Sequence, residues 1–501
     1  MKHTHTSILA LYISLISAVT CQAEVSSSAL FSNHMVLQRG VTVPVWGHAE
    51  AGESVKVSFS GQSKTVVTGE DGKWMVELDS LKASNEGSEM IIEGSNKIVF
   101  KDVVVGEVWI CSGQSNMQFG ARAVPEIRKK IPQAGNVRSF SVPRTVAFKE
   151  QDTLDGQWEL EVANSAVAAG FSMFLEEAVD VPVGIILSAW GSSSIEAWMP
   201  RDMAKDLPVF KEQLDFLDTD TKGKARIDNA LAAGEWDKGV DVFLRRQPNI
   251  LYNAMMKPLV PYACRGLVWY QGERNAFNFD TVPEKPSYRH TIPMTGYGYA
   301  LKLWMERYRK EWNKKDMHFM VVMLPGYAGK ELEEQAERPD VASWAWMREA
   351  QLQSLDLPYT SVVNTIDLGH LTDIHPKDKA PIGERLALLA QRDTLQVDTL
   401  AEGPIMKSVE QAGNHLVVHY EAGTDLKTKD GDTPQGFWLA DESAKWVPAT
   451  AKMNQKTVTL SAPGMEKPLY VRYAFAGMPQ VNLVNASNLP ARPFRTDAFV
   501  K

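Results

Sequence analysis

The sequence predicts an α/β protein: a three-layer domain on a parallel sheet, with one β-rich module before it and another after it. Three observations predict this. From Val103 to about Thr394, apolar β-branched runs alternate with helical stretches, the texture of strand–helix–strand units. On either side the chain carries short alternating runs between Gly- and Pro-containing turns, as small antiparallel modules do. The run Asp102 to Gln118 begins with little alternation, like a strand buried on both faces, and breaks at Ser112-Gly113. A length of 501 residues exceeds one compact core and fits several domains.

Taken in order, Met1-Lys2-His3, the apolar run Ser7–Cys21 and the small residue Ala23 read as a secretory signal peptide over 1–23, cleaved after Ala23. The run is short for a membrane span, and no other segment approaches that length, so the mature chain is expected in the periplasm or outside the cell. Lipoprotein anchoring at Cys21 is disfavoured, because Val19-Thr20 is a poor match to the small residues such processing needs.

Residues 24–101 form the first β module, with strands at Val41–Trp46, Ser54–Phe59, Lys64–Val67 and Trp74–Leu78. Residues 102–398 form the α/β domain. Its strands are expected at Val181–Ser188, Arg265–Tyr270, His318–Leu324 and Thr360–Ile366. Its helices are expected at Ala166–Val179, Leu301–Trp312, Ala342–Leu355 and Ile382–Arg392. The polar stretch 202–239 reads as a partly helical excursion. Residues 399–501 form the second β module, with strands at Leu416–Tyr420, Lys456–Leu460 and Leu469–Tyr473, and Ala486–Thr496 wrapping back over its neighbour.

Composition is that of an ordinary soluble globular chain, with 44% hydrophobic and 23% charged residues. A net charge of -8 argues against nucleic acid or an anionic membrane surface as partner. After cleavage only Cys111 and Cys264 remain. Both sit in or beside apolar runs and read as buried thiols, although export would permit a disulfide. Their spacing excludes a cysteine zinc site. No metal and no cofactor is expected.

Four polar clusters fall at strand ends of the α/β domain: Gly113–Asn116, Ala189–Trp198, Trp269–Asn275 and Ile366–Pro376. A serine at the carboxyl end of a buried strand stands where open α/β sheets place ligands. A helix starting there would direct free N–H groups at an oxyanion beside the Ser115 hydroxyl. The G-x-S-x-G elbow is not met, because Met117 holds the fifth position.

The same clusters carry a resemblance. Leu30–Gln38, Gly106–Met117, Trp190–Trp198, Leu251–Met256, Trp269–Glu273 and Asp373–Lys377, in this order, resemble the sialate O-acetylesterase family, carbohydrate esterases of the SGNH hydrolase superfamily. The resemblance covers nearly the whole mature chain. It implies an SGNH-like, flavodoxin-like core and an O-acetylated sugar substrate, sialic acid or a glycan. It implies Ser115 as nucleophile, His375 as its base, and an oxyanion hole of the Ser115 N–H, the Gly191 N–H and the Gln271 amide. An unassisted serine hydroxyl is inert near neutral pH, and an imidazole titrates in the useful range. His370 competes as base through the D-x-x-H spacing of Asp367–His370. Asp373 or Glu273 is the third member that orients the imidazole.

Gln114, Asn116, Trp198, Arg274 and Asn275 are candidate substrate contacts, and Trp269, Tyr270, Tyr327 and Trp346 could stack on a sugar. Two departures stand out: Arg274 where the family usually has Ser, and Met323 where a Gln is common. The expected reaction is removal of acetyl groups from sialic acid through an acyl-enzyme. An acetylxylan or other polysaccharide esterase, and more distantly a non-catalytic sugar-binding protein, are the alternatives.

Overall fold

A computed structural model describes residues 24–234, 242–281, 287, 289–421 and 425–499. The signal-peptide reading, with Cys21, and the last part of the excursion read at 202–239 lie outside the described residues.

A strand of 17 residues, β1 (Lys97–Gly113), organises the molecule. Its first half alternates exposed and half-buried positions and pairs antiparallel with Ser84–Glu93. From Val103 onward every residue is buried, as the unbroken apolar run requires of a strand covered on both faces. The boundary expected at 101/102 therefore falls inside one continuous strand. Around its amino-terminal half stand the first-module strands Val36–Gln38, Ser54–Phe59 and Gln62–Val67; Ser26–Ser27, Val43–His48 and Lys73–Leu78 form a separate sheet.

The carboxyl half of β1 lies at the centre of a parallel sheet. Its other strands are β2 (Val137–Ser141), β3 (Val183–Ala189), β4 (Gly266–Tyr270), β5 (His318–Val322) and β6 (Thr360–Val363). They run in the order β2-β3-β1-β4-β5-β6. The chain steps from β1 to one side, then returns across it to β4. Such a reversal opens a crevice at the carboxyl ends of the strands. In register, Gly113 of β1 meets Ala189 of β3 and Tyr270 of β4, so three of the four polar clusters leave the sheet side by side.

Four of the helices are α1 (Ala166–Val179), α2 (Met294–Glu311), α3 (Trp344–Leu352) and α4 (Ala380–Leu395). α1 packs on α4, and α2 on α3. Trp109 of β1 meets Phe171 of α1, whereas Trp269 of β4, in register with Ser112 and so on the other side, meets Trp304 of α2; the two pairs therefore cover opposite faces of the sheet. Gly170 and Gly383 let α1 and α4 touch, since a Cβ on Gly383 would stand 2.7 Å from the Gly170 carbonyl carbon. The excursion contains helices Pro208–Thr219 and Thr221–Ala233.

The chain closes in two four-stranded antiparallel sheets and a two-stranded one, and Phe494–Arg495 adds an edge strand to Tyr470–Tyr473. The closing segment does reach back: Asn364 donates to the Pro490 and Ala491 carbonyls. Cys111 and Cys264 are buried free thiols, so the disulfide that export would permit is not formed. Among the described residues no helix is long and apolar enough to cross a membrane.

Candidate active site

The strand β1 ends at Gly113 with φ of 141°, a conformation reserved for glycine, and a side chain there would also run into the Tyr270 carbonyl. This permits the short helical turn Ser115–Gln118 to start directly at the sheet edge. Ser115 is half-buried, and its Oγ lies 2.9 Å from His375 Nε2. The two residues are 260 positions apart along the chain. Burial lowers the His375 pKa first, nearby Lys379 lowers it further, and Asp373 opposes both. The balance favours the neutral imidazole, the form a proton acceptor must have.

His370 does not compete. It is exposed, and its Nδ1 accepts the Thr372 and Asp373 N–H groups, capping the turn that precedes His375. Its expected partner Asp367 is engaged by both guanidinium nitrogens of Arg385, each at 2.7 Å.

Neither candidate acid bonds to the imidazole. Asp373 Oδ1 accepts the backbone N–H of His375 at 2.9 Å and acts on the ring only through its charge. Glu273 is buried and accepts from the Asn116 side-chain amide, and desolvation raises its pKa. The expectation that either carboxylate grips the ring is corrected on this geometry.

The oxyanion donors also differ from expectation. Gly191 packs against the nucleophile, where an added Cβ would stand 3.2 Å from Ser115 Cβ. Its N–H, however, donates to Gln118 Oε1 at 2.7 Å. Gln271 is fully buried, and its amide faces Asn275 Oδ1 at 2.9 Å, Gln114 Oε1 at 3.2 Å and the Ser193 carbonyl at 3.3 Å. Its two N–H bonds are spent inside the protein, so Gln271 supports the site rather than facing it. The Ser115 N–H, at the start of its turn, has no acceptor among the described residues.

A family profile described as carbohydrate esterase, sialic acid-specific acetylesterase, matches residues 105–391. The chain belongs to this family. Among curated relatives, sialate O-acetylesterase of Rattus norvegicus is 27% identical, with 93% of each chain covered. The Homo sapiens protein of the same name is 26% identical over 93% of this chain and 91% of its own. Among solved structures, a carbohydrate acetylesterase from Xanthomonas citri superposes with a TM-score of 0.79 at 29% identity, covering 95% of this chain and 100% of that one.

Within this member of the sialic acid-specific acetylesterase family, most expected substrate contacts are interior. Trp198 is fully buried, edge-on to Trp269 at 6.1 Å, with its Nε1 on Ser193 Oγ. Asn275 is equally buried, with its amide shared among Ile195, Gln271, Glu196 and Ile292. Asn116 is buried too and bonds to the Ile374 carbonyl. Gln114 is 3% exposed and its Oε1 accepts from Gln271 and Arg274. Burial with internal partners corrects the expectation for Trp198, Asn275 and Asn116, which brace the loops, whereas Gln114 turns its Nε2 to Ser115 Oγ at 3.5 Å.

Trp269 and Tyr270 are core, and Trp346 is 6% exposed. Half-buried Tyr327, its ring tilted against Trp344 at 4.4 Å, and half-buried Arg274 keep some surface. Met323, where a Gln is common, is buried; Gln351 of α3 instead bonds to the Gln271 carbonyl and the Leu324 N–H. Two residues went unforeseen: Gln118 and Lys379. Gln118 offered no signal beyond its nearness to Ser115.

Proposed function

We propose that this chain is an exported serine O-acetylesterase of acetylated sugars, sialic acid foremost. The 2.9 Å hydrogen bond between Ser115 Oγ and His375 Nε2, in the crevice beside β1, carries the reading. His375 takes the hydroxyl proton as Ser115 Oγ attacks the acetyl carbonyl carbon, giving a tetrahedral oxyanion. Collapse breaks the ester C–O bond, and the departing sugar oxygen takes the proton from the imidazolium. Water, deprotonated by His375, then attacks acetyl-Ser115, releasing acetate and restoring the hydroxyl. The Ser115 N–H and the Gly191 N–H receive the oxyanion once Gln118 Oε1 swings off Gly191; one such donor is worth roughly 3 kcal/mol. Asp373 fixes the backbone of the base, and Gln271, Gln114 and Asn275 hold the loops from behind. Arg274 and Tyr327 are the side chains of this set left to meet substrate.

The order β3-β1-β4-β5-β6 supports an SGNH-like, flavodoxin-like core over 102–398. The flanking sheets support β-sandwich-like modules over 24–101 and 399–501. Residues 1–23 act as the export signal. A second reading, esterase of another acetylated glycan, draws on likeness to the Xanthomonas citri carbohydrate acetylesterase over nearly the full length of both chains.

The test compares acetate release from O-acetylated sialic acid and from acetylated xylan by wild type and Ser115→Ala. The sialate is expected to be the better substrate, with release abolished in the variant. Better release from xylan selects the second reading, and none from either leaves a binding protein.

A further inference from the structure

The loop that delivers His375 must hold its position against a nucleophile borne on another loop, yet the Asp373 carboxylate does not grip the ring. What joins the two loops is Asn116, the residue after Ser115. Its Nδ2 donates to the carbonyl of Ile374, the residue before His375, at 3.0 Å, and to Glu273 Oε1 from the loop after β4. An amide can make these bonds only in one of its two flipped orientations. That orientation is dictated from the other end: Lys379 Nζ donates to Asn116 Oδ1 at 2.7 Å. Lys379 is fully buried immediately before α4, between the rings of Tyr270 and Phe119 at 5.2 and 5.8 Å.

Burying an ammonium is costly unless it is paired, and the sole carboxylate in this clasp, Glu273, is also fully enclosed, with its Oε2 lacking a hydrogen-bond partner. We propose that Lys379 is a positioning residue of the esterase: its ammonium fixes the Asn116 amide so that Asn116 clasps the His375 loop to the Ser115 turn.

The same charge has a second consequence. The charged groups acting on the imidazole are Lys379, which disfavours its protonation, and Asp373, which favours it. Those acting on Lys379 are Glu273, Asp378 and Asp373, set against a burial that brings its pKa down to about 8. Around pH 6, where an imidazole titrates, Lys379 therefore carries its charge and disfavours protonation of His375. The proposal rests on the esterase reading for the use made of that base, but its test does not need turnover.

The experiment titrates the His375 ring proton by NMR in wild type, Lys379→Gln and Lys379→Met, with the resonance assigned by its loss in His375→Gln. Glutamine keeps a donor for Asn116 and drops the charge, whereas methionine drops both. The His375 midpoint is expected to rise by roughly half a unit or more in both. Acetate release is expected to fall further in the methionine variant than in the glutamine one. Should methionine prevent folding, the glutamine variant still decides the electrostatic part, and Asn116→Ala, expected to lower kcat, decides the clasp, which equal kcat in that variant would overturn. An unmoved midpoint in folded Lys379→Gln overturns the electrostatic part, and equal kcat in wild type and folded Lys379→Met overturns the clasp. A wild type that shows the midpoint shift on substitution but releases no acetate defeats the esterase reading instead.

Discussion

One backbone N–H, that of Gly191, has two claimants. In the resting geometry Gln118 Oε1 holds it at 2.7 Å, and in the proposed reaction a developing oxyanion must take it. A neutral amide yields to a full negative charge, because charge-assisted hydrogen bonds are about twice as strong as neutral ones. A carboxylate at 118 would not yield so easily. Gln118→Glu is therefore expected to lower kcat for acetate release at least about tenfold, a cost of roughly 1.4 kcal/mol, while Gln118→Ala keeps kcat near that of wild type. Unaltered kcat in the glutamate variant would show that Gly191 takes no part. Ser115 stood out only as a serine at the end of a buried strand, and the pairing with His375 was legible through the family resemblance, since the D-x-x-H spacing alone pointed to His370. Asp373 was misplaced for a local reason. Residues i and i+2 share a side only in extended chain, and here the Asp373 carboxylate caps the His375 N–H in a tight turn. A second serine–histidine–aspartate group is a decoy. Ser361 Oγ lies 2.8 Å from His318 Nε2 and donates to Asp393, so the serine sits in the middle and its proton points at the carboxylate. Burial holds His318 down to about 4, and it opens β5 at the edge opposite the crevice.

Among the elements, α1 was read to the residue, since Ala166–Val179 is an apolar helix bounded by a Ser165 cap and a left-handed Asp180. The helix α2 was read only from Leu301, whereas it starts at Met294. Gly296 and Gly298 hid its first turns, because glycine is the least favourable ordinary residue in a helix. Tertiary packing explains the exception: a Cβ on Gly298 would stand 2.6 Å from the Ala350 carbonyl oxygen, where α2 leans on α3. Two effects then oppose each other in Gly298→Ala. Propensity favours alanine by about 1 kcal/mol, and overpacking against backbone costs typically about 1–3 kcal/mol. Packing is expected to win, lowering Tm in a thermal melt with kcat per folded molecule unchanged; a raised Tm would mean that the helices separate freely. The strand β2 escaped notice because Arg138 and Ser139 interrupt its apolar pattern. Both are buried all the same, Arg138 because its guanidinium reaches Asp102 and the His34 carbonyl.

At the scale of the whole molecule, the closing β module braces the base. Arg348 of α3 is fully buried and donates to the carbonyls of Pro325, Ala476 and Gly477. Burial without a carboxylate partner brings its pKa down to about 9, still charged near neutrality. Through it the Ala476–Gly477 turn is fixed against the loop after β5, where the Tyr327 N–H donates to the Gly477 carbonyl. That loop in turn bonds to the approach to His375: Gly326 donates to Leu368, His370 to Gly326, and Ala328 to Leu371. The alternation of the sequence after Leu400 announced a β module, but not that it would touch the site, because this path runs through backbone carbonyls that carry no residue signature. Arg348→Met leaves the Pro325 and Ala476 carbonyls short of a donor, each worth about 1–3 kcal/mol if unsatisfied, while Gly477 keeps the Tyr327 N–H. Two losses are therefore expected together: a lower Tm, and a lower kcat measured well below the new Tm. Severing the closing module from the core by a route that spares this path, such as Arg495→Met opposite Glu349, should lower Tm alone. If both variants lose stability and neither loses kcat, the base is held from within the α/β domain, and the closing module serves only to cover it.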